Sequence, residues 1–343
     1  MKDDYLWDGS GEPDSEIQRL ESVLARYRHS RPAPQFPERL TAWARWRTRL
    51  FRVSLAAATA ALVIVVVRFA RRPIPPSGQT GWQVRRLAGA PKIGDAPVGE
   101  TAQLAVGQWL ETDDASRANV FVGTSGKVEI DSDTRIRLVE TRPSHHRLAL
   151  AQGTIHAMIW APPGQFVVDI PSAMAVDLGC AYTLHVDDKG AGLLRVTFGW
   201  VGFEFKGRES FIPAGAVCAT QPGVGPGTPY FADASAGLRD ALAKLDFEQS
   251  SASERVASLK VILAESRKRD AFTLWHLLSR VGPAEREPVY RRLAALVFPP
   301  HGVTREGALQ GDRRMLNLWW DELGLGDINW WREWERAWPQ QSP

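Results

Sequence analysis

Residues 107–130 read GQWLETDDASRANVFVGTSGKVEI, and this stretch decides the fold class. It holds three short runs, WLET, ANVFV and KVEI, parted by Asp113-Asp114 and by Thr124-Ser125-Gly126. Lys127-Val128-Glu129-Ile130 alternates charged with apolar residues. Side chains on a strand point to opposite faces in turn, so this alternation places one set in a core and the other in solvent. Asp, Ser, Thr and Gly between the runs are turn formers, because they accept the local hydrogen bonds or the positive φ that a reversal needs. Residues 107–130 therefore predict antiparallel strands joined by tight turns.

The same signal extends both ways, from Trp82 to about Tyr230. RIRLV, RLAL, TIHAMI, FVVDI, AVDL, YTLHV, LLRVTF, VGFEF and AVCAT are all short β-type runs. Asp131-Ser132-Asp133, Pro162-Pro163-Gly164 and Asp187-Asp188-Lys189-Gly190 divide them. A dozen short strands at roughly ten-residue spacing predict an antiparallel sandwich or roll over 82–230. The glycine- and proline-rich QPGVGPGTP (221–229) closes it, and the period then turns helical. Helices are predicted at 236–247, 252–268, 271–281, 284–297, 312–323 and 328–338, an all-α bundle over 231–343. Trp330-Trp331, Trp334 and Trp338 recur at the spacing of a core stripe, with sugar stacking or membrane grazing as the alternative reading.

Upstream, Val53–Val67 (VSLAAATAALVIVVV) carries no charge. Extended to 50–70 it spans about 31 Å as a helix, enough for a hydrocarbon core of about 30 Å. Arg52 and Arg68 near its ends can reach the headgroups. The segment is read as a single transmembrane helix anchored by Val53, Leu62, Val63, Ile64 and Val65 in the lipid bilayer. Arg39, Arg45, Arg47, Arg49 and Arg52 precede it, against Arg68, Arg71 and Arg72 after it. That bias puts the N-terminus in the cytoplasm and the bulk of the chain outside it, across the inner (cytoplasmic) membrane. The head, 1–49, holds one amphipathic helix with Asp14 or Ser15 as its cap and an apolar stripe that includes Leu20, Val23, Leu24 and Tyr27. A lone helix cannot bury its own stripe, so it either docks on a partner or frays as a solvated tail. Residues 71–81 form a proline-bearing linker.

Of 343 residues, 44% are hydrophobic, and the net charge of +3 is too mild to demand a nucleic-acid partner. Cys180 and Cys218 are the two cysteines, and no zinc spacing surrounds them. They are read as two small buried thiols, with a disulfide between them as the alternative. No GxSxG, HExxH, Walker or GxGxxG motif is present, so no catalytic residue, metal or cofactor is expected. His145-His146 fall at a predicted hairpin tip, and His156 and His185 alternate within strands as exposed or hydrogen-bonded rings.

Several short motifs then line up in order over about 98–220. They are Gly107–Thr112 (GQWLET), Ser116–Val120 (SRANV), Val128-Glu129-Ile130, Leu150–Ile155 (LAQGTI), Phe166–Ala173 (FVVDIPSA), Gly179–Leu184 (GCAYTL), Val196–Val201 (VTFGWV) and Ile212–Gly215 (IPAG). In this the β region resembles the FecR-domain family. Cys180 where that family has threonine and Leu184 where it has valine are departures that keep strand character. The helical module is not part of the usual family layout.

The resemblance implies a periplasmic domain of a membrane regulator that governs an extracytoplasmic-function sigma factor. It implies docking of that factor by the head helix through Leu20, Val23, Leu24 and Tyr27, and no enzymatic activity. Another protein of the envelope is a second expected partner. The alternative is an envelope scaffold or ligand-binding protein, displaying its domains to polysaccharide or protein with no sigma-factor role.

Overall fold

The structure, a computed structural model, describes residues 14–25 and 81–325. The chain divides into two compact units, Met1–Ser77 and Gly78–Pro343. In the first unit, α1 (Ser15–Leu24) starts where the Asp14 carboxylate accepts the Glu16 N–H at 3.1 Å, an N-cap reinforced by Glu16 in the first turn. The expected membrane span at 50–70, with Val53 and Leu62–Val65, lies outside the described residues. Among the described residues no helix is long and apolar enough to cross a membrane.

The second unit begins with β1 (Gly81–Ala88), β2 (Lys92–Ile93), β3 (Ala96–Pro97), β4 (Thr101–Ala105), β5 (Trp109–Glu111) and β6 (Arg117–Val122). It continues with β7 (Gly126–Ile130), β8 (Arg135–Arg142), β9 (His145–Ile159), β10 (Phe166–Ile170), β11 (Ala173–Asp177) and β12 (Ala181–Val186). The last strands are β13 (Gly192–Phe198), β14 (Trp200–Phe205), β15 (Arg208–Pro213), β16 (Ala216–Gln221), β17 (Gly225–Pro226) and β18 (Tyr230–Phe231). They form two sheets. One runs β4-β1-β6-β7-β9-β12-β13-β16, with β17 and β18 beyond β16. The other runs β3-β2-β5-β8-β9-β10-β11-β14-β15. All these pairings are antiparallel except β9 with β10. After β4, spatial order in each sheet follows chain order.

Strand β9 belongs to both sheets. The sequence reads RLAL and TIHAMI as two strands, but they are one, of 15 residues. Its first half lies between β8 and β10, and its second half between β7 and β12. The chain changes sheets at Gly153, whose φ is +95°; a Cβ there would stand 2.4 Å from Thr134 Cα and 2.6 Å from the Asp133 carbonyl. Only glycine fits that conformation and that approach. Gly199, at φ +69°, makes the same passage from β13 to β14, with the Gly179 carbonyl 2.3 Å from where its Cβ would be.

Alternation places Val120, Val128, Ile155, Leu184 and Val196 on the inner face of the first sheet and Ile136, Leu138, Leu148 and Phe203 in the second, all buried. In β15 the alternation fails: Ser210, Phe211, Ile212 and Pro213 are all buried. Both faces of the second sheet are covered there, and the helices supply the second cover.

Those helices are α2 (Ala236–Phe247), α3 (Ala252–Glu265), α4 (Ala271–Arg280), α5 (Pro283–Leu296), α6 (Arg305–Gln310) and α7 (Arg313–Asp321). Ser235, Ser251, Thr304 and Asp312 cap four of them with side-chain acceptors. Helix α6 has no counterpart in the sequence reading, and the expected helix at 328–338 lies outside the described residues. Helix α4 is buried at every position from Ala271 to Leu278, so it is a core helix and not an amphipathic one. The strands and the helices share one continuous buried core.

Candidate functional site

The helices meet the β14–β15 hairpin through packed rings. Trp320 lies 5.9 Å from Trp200, 5.8 Å from Phe211 and 4.7 Å from Trp275, centroid to centroid. Phe231 and Phe272 close the group at 4.8 Å. His276 sits inside it. Its Nε2 accepts the Phe211 N–H at 3.0 Å, which leaves the proton on Nδ1 to be donated to the Phe272 carbonyl at 2.8 Å. Both ring nitrogens are thereby used, and burial with Arg280 nearby pushes the His276 pKa down to about 3. It is a neutral structural link between a strand and a helix.

Beside this cluster lies a polar network around Asp246, whose carboxylate is 5% exposed. Asp246 accepts from Arg208 Nη2 at 2.7 Å, from the Thr228 N–H at 2.6 Å and from Thr228 Oγ1 at 3.2 Å. Arg280 donates to Thr228 Oγ1 at 3.0 Å, to the Glu209 carbonyl at 2.7 Å and to Ser210 Oγ at 2.5 Å, and stands 3.8 Å from Asp246. Its burial pushes the guanidinium pKa down to about 10, and Asp246 opposes that fall. Two guanidinium groups thus share one carboxylate in a low-dielectric wall, where each charge is felt more strongly than in water.

The wall faces a cleft of about 480 Å³ between the hairpin turn at Lys206-Gly207 and helices α4 and α7. Lys206 and Arg313 add two further cations to its lining, and Trp275, Phe211 and Leu316 give it an apolar side. The sequence reading passed over Arg208, Asp246, His276 and Arg280. They lie at least 30 residues from one another except for the last two, so only the fold brings them together. One signal was available: AFTLWHLLSR is apolar on all sides around its His, which marks a helix buried throughout.

The predicted docking residues Leu20, Val23 and Leu24 lie on α1 and are 60%, 47% and 58% exposed. Tyr27 lies outside the described residues. Cys180 and Cys218 are both free, so the alternative of a disulfide does not hold. Each thiol has its own partner: Cys180 Sγ donates to Asp177 Oδ2 at 2.7 Å, and Cys218 Sγ to the Gly227 carbonyl at 3.2 Å. Burial pushes the Cys218 pKa up to about 12 and holds Cys180 well above the usual thiol range. Neither is a ready nucleophile, since the thiolate is the reactive form. Burial also lifts Asp177 to about 7, although it accepts the Gly179 N–H at 2.7 Å. The neighbouring Tyr182 hydroxyl is buried without a partner.

The histidine pair does not sit in solvent as the sequence reading expected. The turn is tighter, and His146 is buried in β9 with its ring edge against Trp82 at 5.9 Å. Thr141 Oγ1 accepts the Trp82 indole N–H at 3.0 Å and is hydrogen-bonded to His146 Nδ1 at 3.0 Å. His156 and His185 are exposed and bonded to Thr183 and Thr154 across neighbouring strands. Among the described residues no group of three metal-binding side chains occurs. The arrangement holds one sheet to a helical layer.

No protein-family model matches the chain. No curated protein matches it. Two crystal structures of a "putative anti-sigma factor" from Parabacteroides distasonis ATCC 8503 share 14% and 13% identity with it. They cover 45% and 46% of this chain and 73% and 74% of their own, each with a TM-score of 0.32. A likeness of that size carries neither fold nor function across.

Proposed function

We propose that the chain is a non-enzymatic, membrane-anchored regulator. Residues 50–70 cross the cytoplasmic membrane once, with the head in the cytoplasm and the strand-rich unit outside. The head helix holds an extracytoplasmic-function sigma factor through Leu20, Val23, Leu24 and Tyr27, and an envelope protein or ligand acts on the outer unit to bias that grip. The observation that carries this reading is the apolar stripe of α1, three large side chains about half exposed with none of the helix buried. Burying such side chains is worth about 1.5–3 kcal/mol each, so a partner that covers them gains enough to hold the helix. The motif order over 98–220 supports the same reading through the FecR resemblance.

The test is capture of a co-expressed extracytoplasmic-function sigma factor by the full chain in detergent. Capture by the wild type, with a loss of about tenfold or more in L20D/L24D, is expected. Equal capture by wild type and variant, or none by either, refutes the docking role. A second reading, an envelope ligand-binding protein without a sigma-factor role, draws support from the basic cleft at the β14–β15 hairpin.

A further inference from the structure

We propose that the cleft between the Lys206-Gly207 turn and helices α4 and α7 binds a small anion, a carboxylate or phosphate carried on a planar or apolar body. The charge balance points there first. Lys206, Arg208, Arg280 and Arg313 line or back the cleft against two carboxylates, Glu209 and Asp246. Asp246 offsets part of the charge of Arg208 and Arg280, which it contacts, and Glu209 offsets a further unit, so four cations against two carboxylates leave the cleft with a net positive charge. Cations on low-dielectric walls focus their field into the cleft and draw in the opposite charge.

The rest of the lining sets the ligand's body. Trp275, Phe211 and Leu316 offer a ring-sized apolar side. His276 contributes no charge, because both its nitrogens are already bonded. The side-chain oxygen of Asn317, a residue of the lining, is buried with no hydrogen-bond partner. A volume of about 480 Å³ suits a small molecule.

The turn itself adds a separate observation. Lys206 has φ +50° and Gly207 φ +80°, the two-residue hairpin geometry that Asn-Gly fills at least cost. A lysine in that place works against the backbone; the residue lines the cleft, with its Nζ 5.2 Å from the centroid of the Phe205 ring beside it. Lys206→Asn should therefore raise the unfolding midpoint while weakening anion binding, which a merely structural lysine would not do.

The experiment is isothermal titration of the full chain in detergent with phenyl phosphate, benzoate and benzylamine. The two anions should bind and the amine should not, and raising salt from about 50 to about 500 mM should weaken the anions. K206N/R313Q should lose about tenfold or more in affinity for both anions without a lower unfolding midpoint. The proposal is overturned if benzylamine binds as well as benzoate, if neither anion binds at about 10 mM, or if K206N/R313Q binds both anions like the wild type. Because it does not involve α1, the result stands apart from sigma-factor capture.

Discussion

Asp177 and His276 are buried groups whose titrations pull stability in opposite directions, and one substitution separates them. His276 is neutral in the folded protein, its pKa pushed down to about 3 from an ordinary 6.5. The unfolded chain takes up that proton as pH falls through 6.5, while the folded protein waits until about 3. Its contribution is therefore full above pH 6.5 and is lost on acidification, at about 1.4 kcal/mol per pH unit. Asp177 runs the other way. Burial lifts it to about 7 from 3.8, so the folded protein keeps a proton the unfolded chain has released. Its contribution is full below pH 3.8 and is lost as pH rises through 7, at the same slope. Asp233, Glu254 and Glu285, all held below the usual carboxylate range by hydrogen-bond partners, lose their contributions as pH falls through the ordinary carboxylate range, equally in the wild type and in D177N, so they cancel in the comparison. His146, lowered chiefly by burial, adds to the slope of His276. Asp177→Asn removes the opposing slope. Between about pH 6.5 and 4.5, D177N should lose about 2 kcal/mol more than the wild type does. Urea unfolding of the full chain in detergent, followed by tryptophan fluorescence at several pH values, reads this directly. Parallel pH profiles for the two proteins would refute the burial argument for Asp177.

Three other outcomes follow from the packing. Asp246→Asn leaves Arg208 and Arg280 facing each other without their carboxylate and should cost about 3 kcal/mol, against about 1 kcal/mol for Arg208→Gln, which removes the more exposed cation; urea midpoints that reverse this order would count against the shared-carboxylate network. Gly153→Ala should cost about 3 kcal/mol or more, from the positive φ together with the clash against Thr134, and a wild-type midpoint would contradict the sheet crossing described for β9. Neither Cys180 nor Cys218 should react with a thiol reagent in the native protein, and both should react in denaturant without a reducing agent; a single equivalent consumed natively would show an exposed thiol.

Much of the fold was legible where the signal is local. Period-two runs located most of the strands, and the helices expected from 236, 252 and 312 begin at Ala236, Ala252 and Arg313. Helix α6 escaped because REGALQ is too short to show a period, with a glycine in its middle. The unity of β9 escaped for a related reason: a glycine inside a β-run reads as a turn, whereas Gly153 bends a strand that keeps pairing on both sides. His146 was misread because a His-His pair after Pro143-Ser144 resembles a solvated tip, and only the approach of Trp82 from 64 residues away shows it buried. The cleft was illegible on principle. Its charges come from a hairpin and from two helices, and no spacing along the chain encodes Arg208 against Asp246 or His276 against Phe211. By contrast, the stripe of α1 was visible because it needs only ten consecutive residues.

Strand order that tracks chain order in both sheets has a consequence for biogenesis. From β5 onward, each new hairpin is laid on an edge made by residues already synthesised, so nothing early in the chain has to wait for something late before it can pair. Such a body can grow at one end, as a zipper closes, while the polypeptide is still being delivered. The helical layer arrives last and caps the final edge, which places the demand for shielding sticky intermediates on that last step alone.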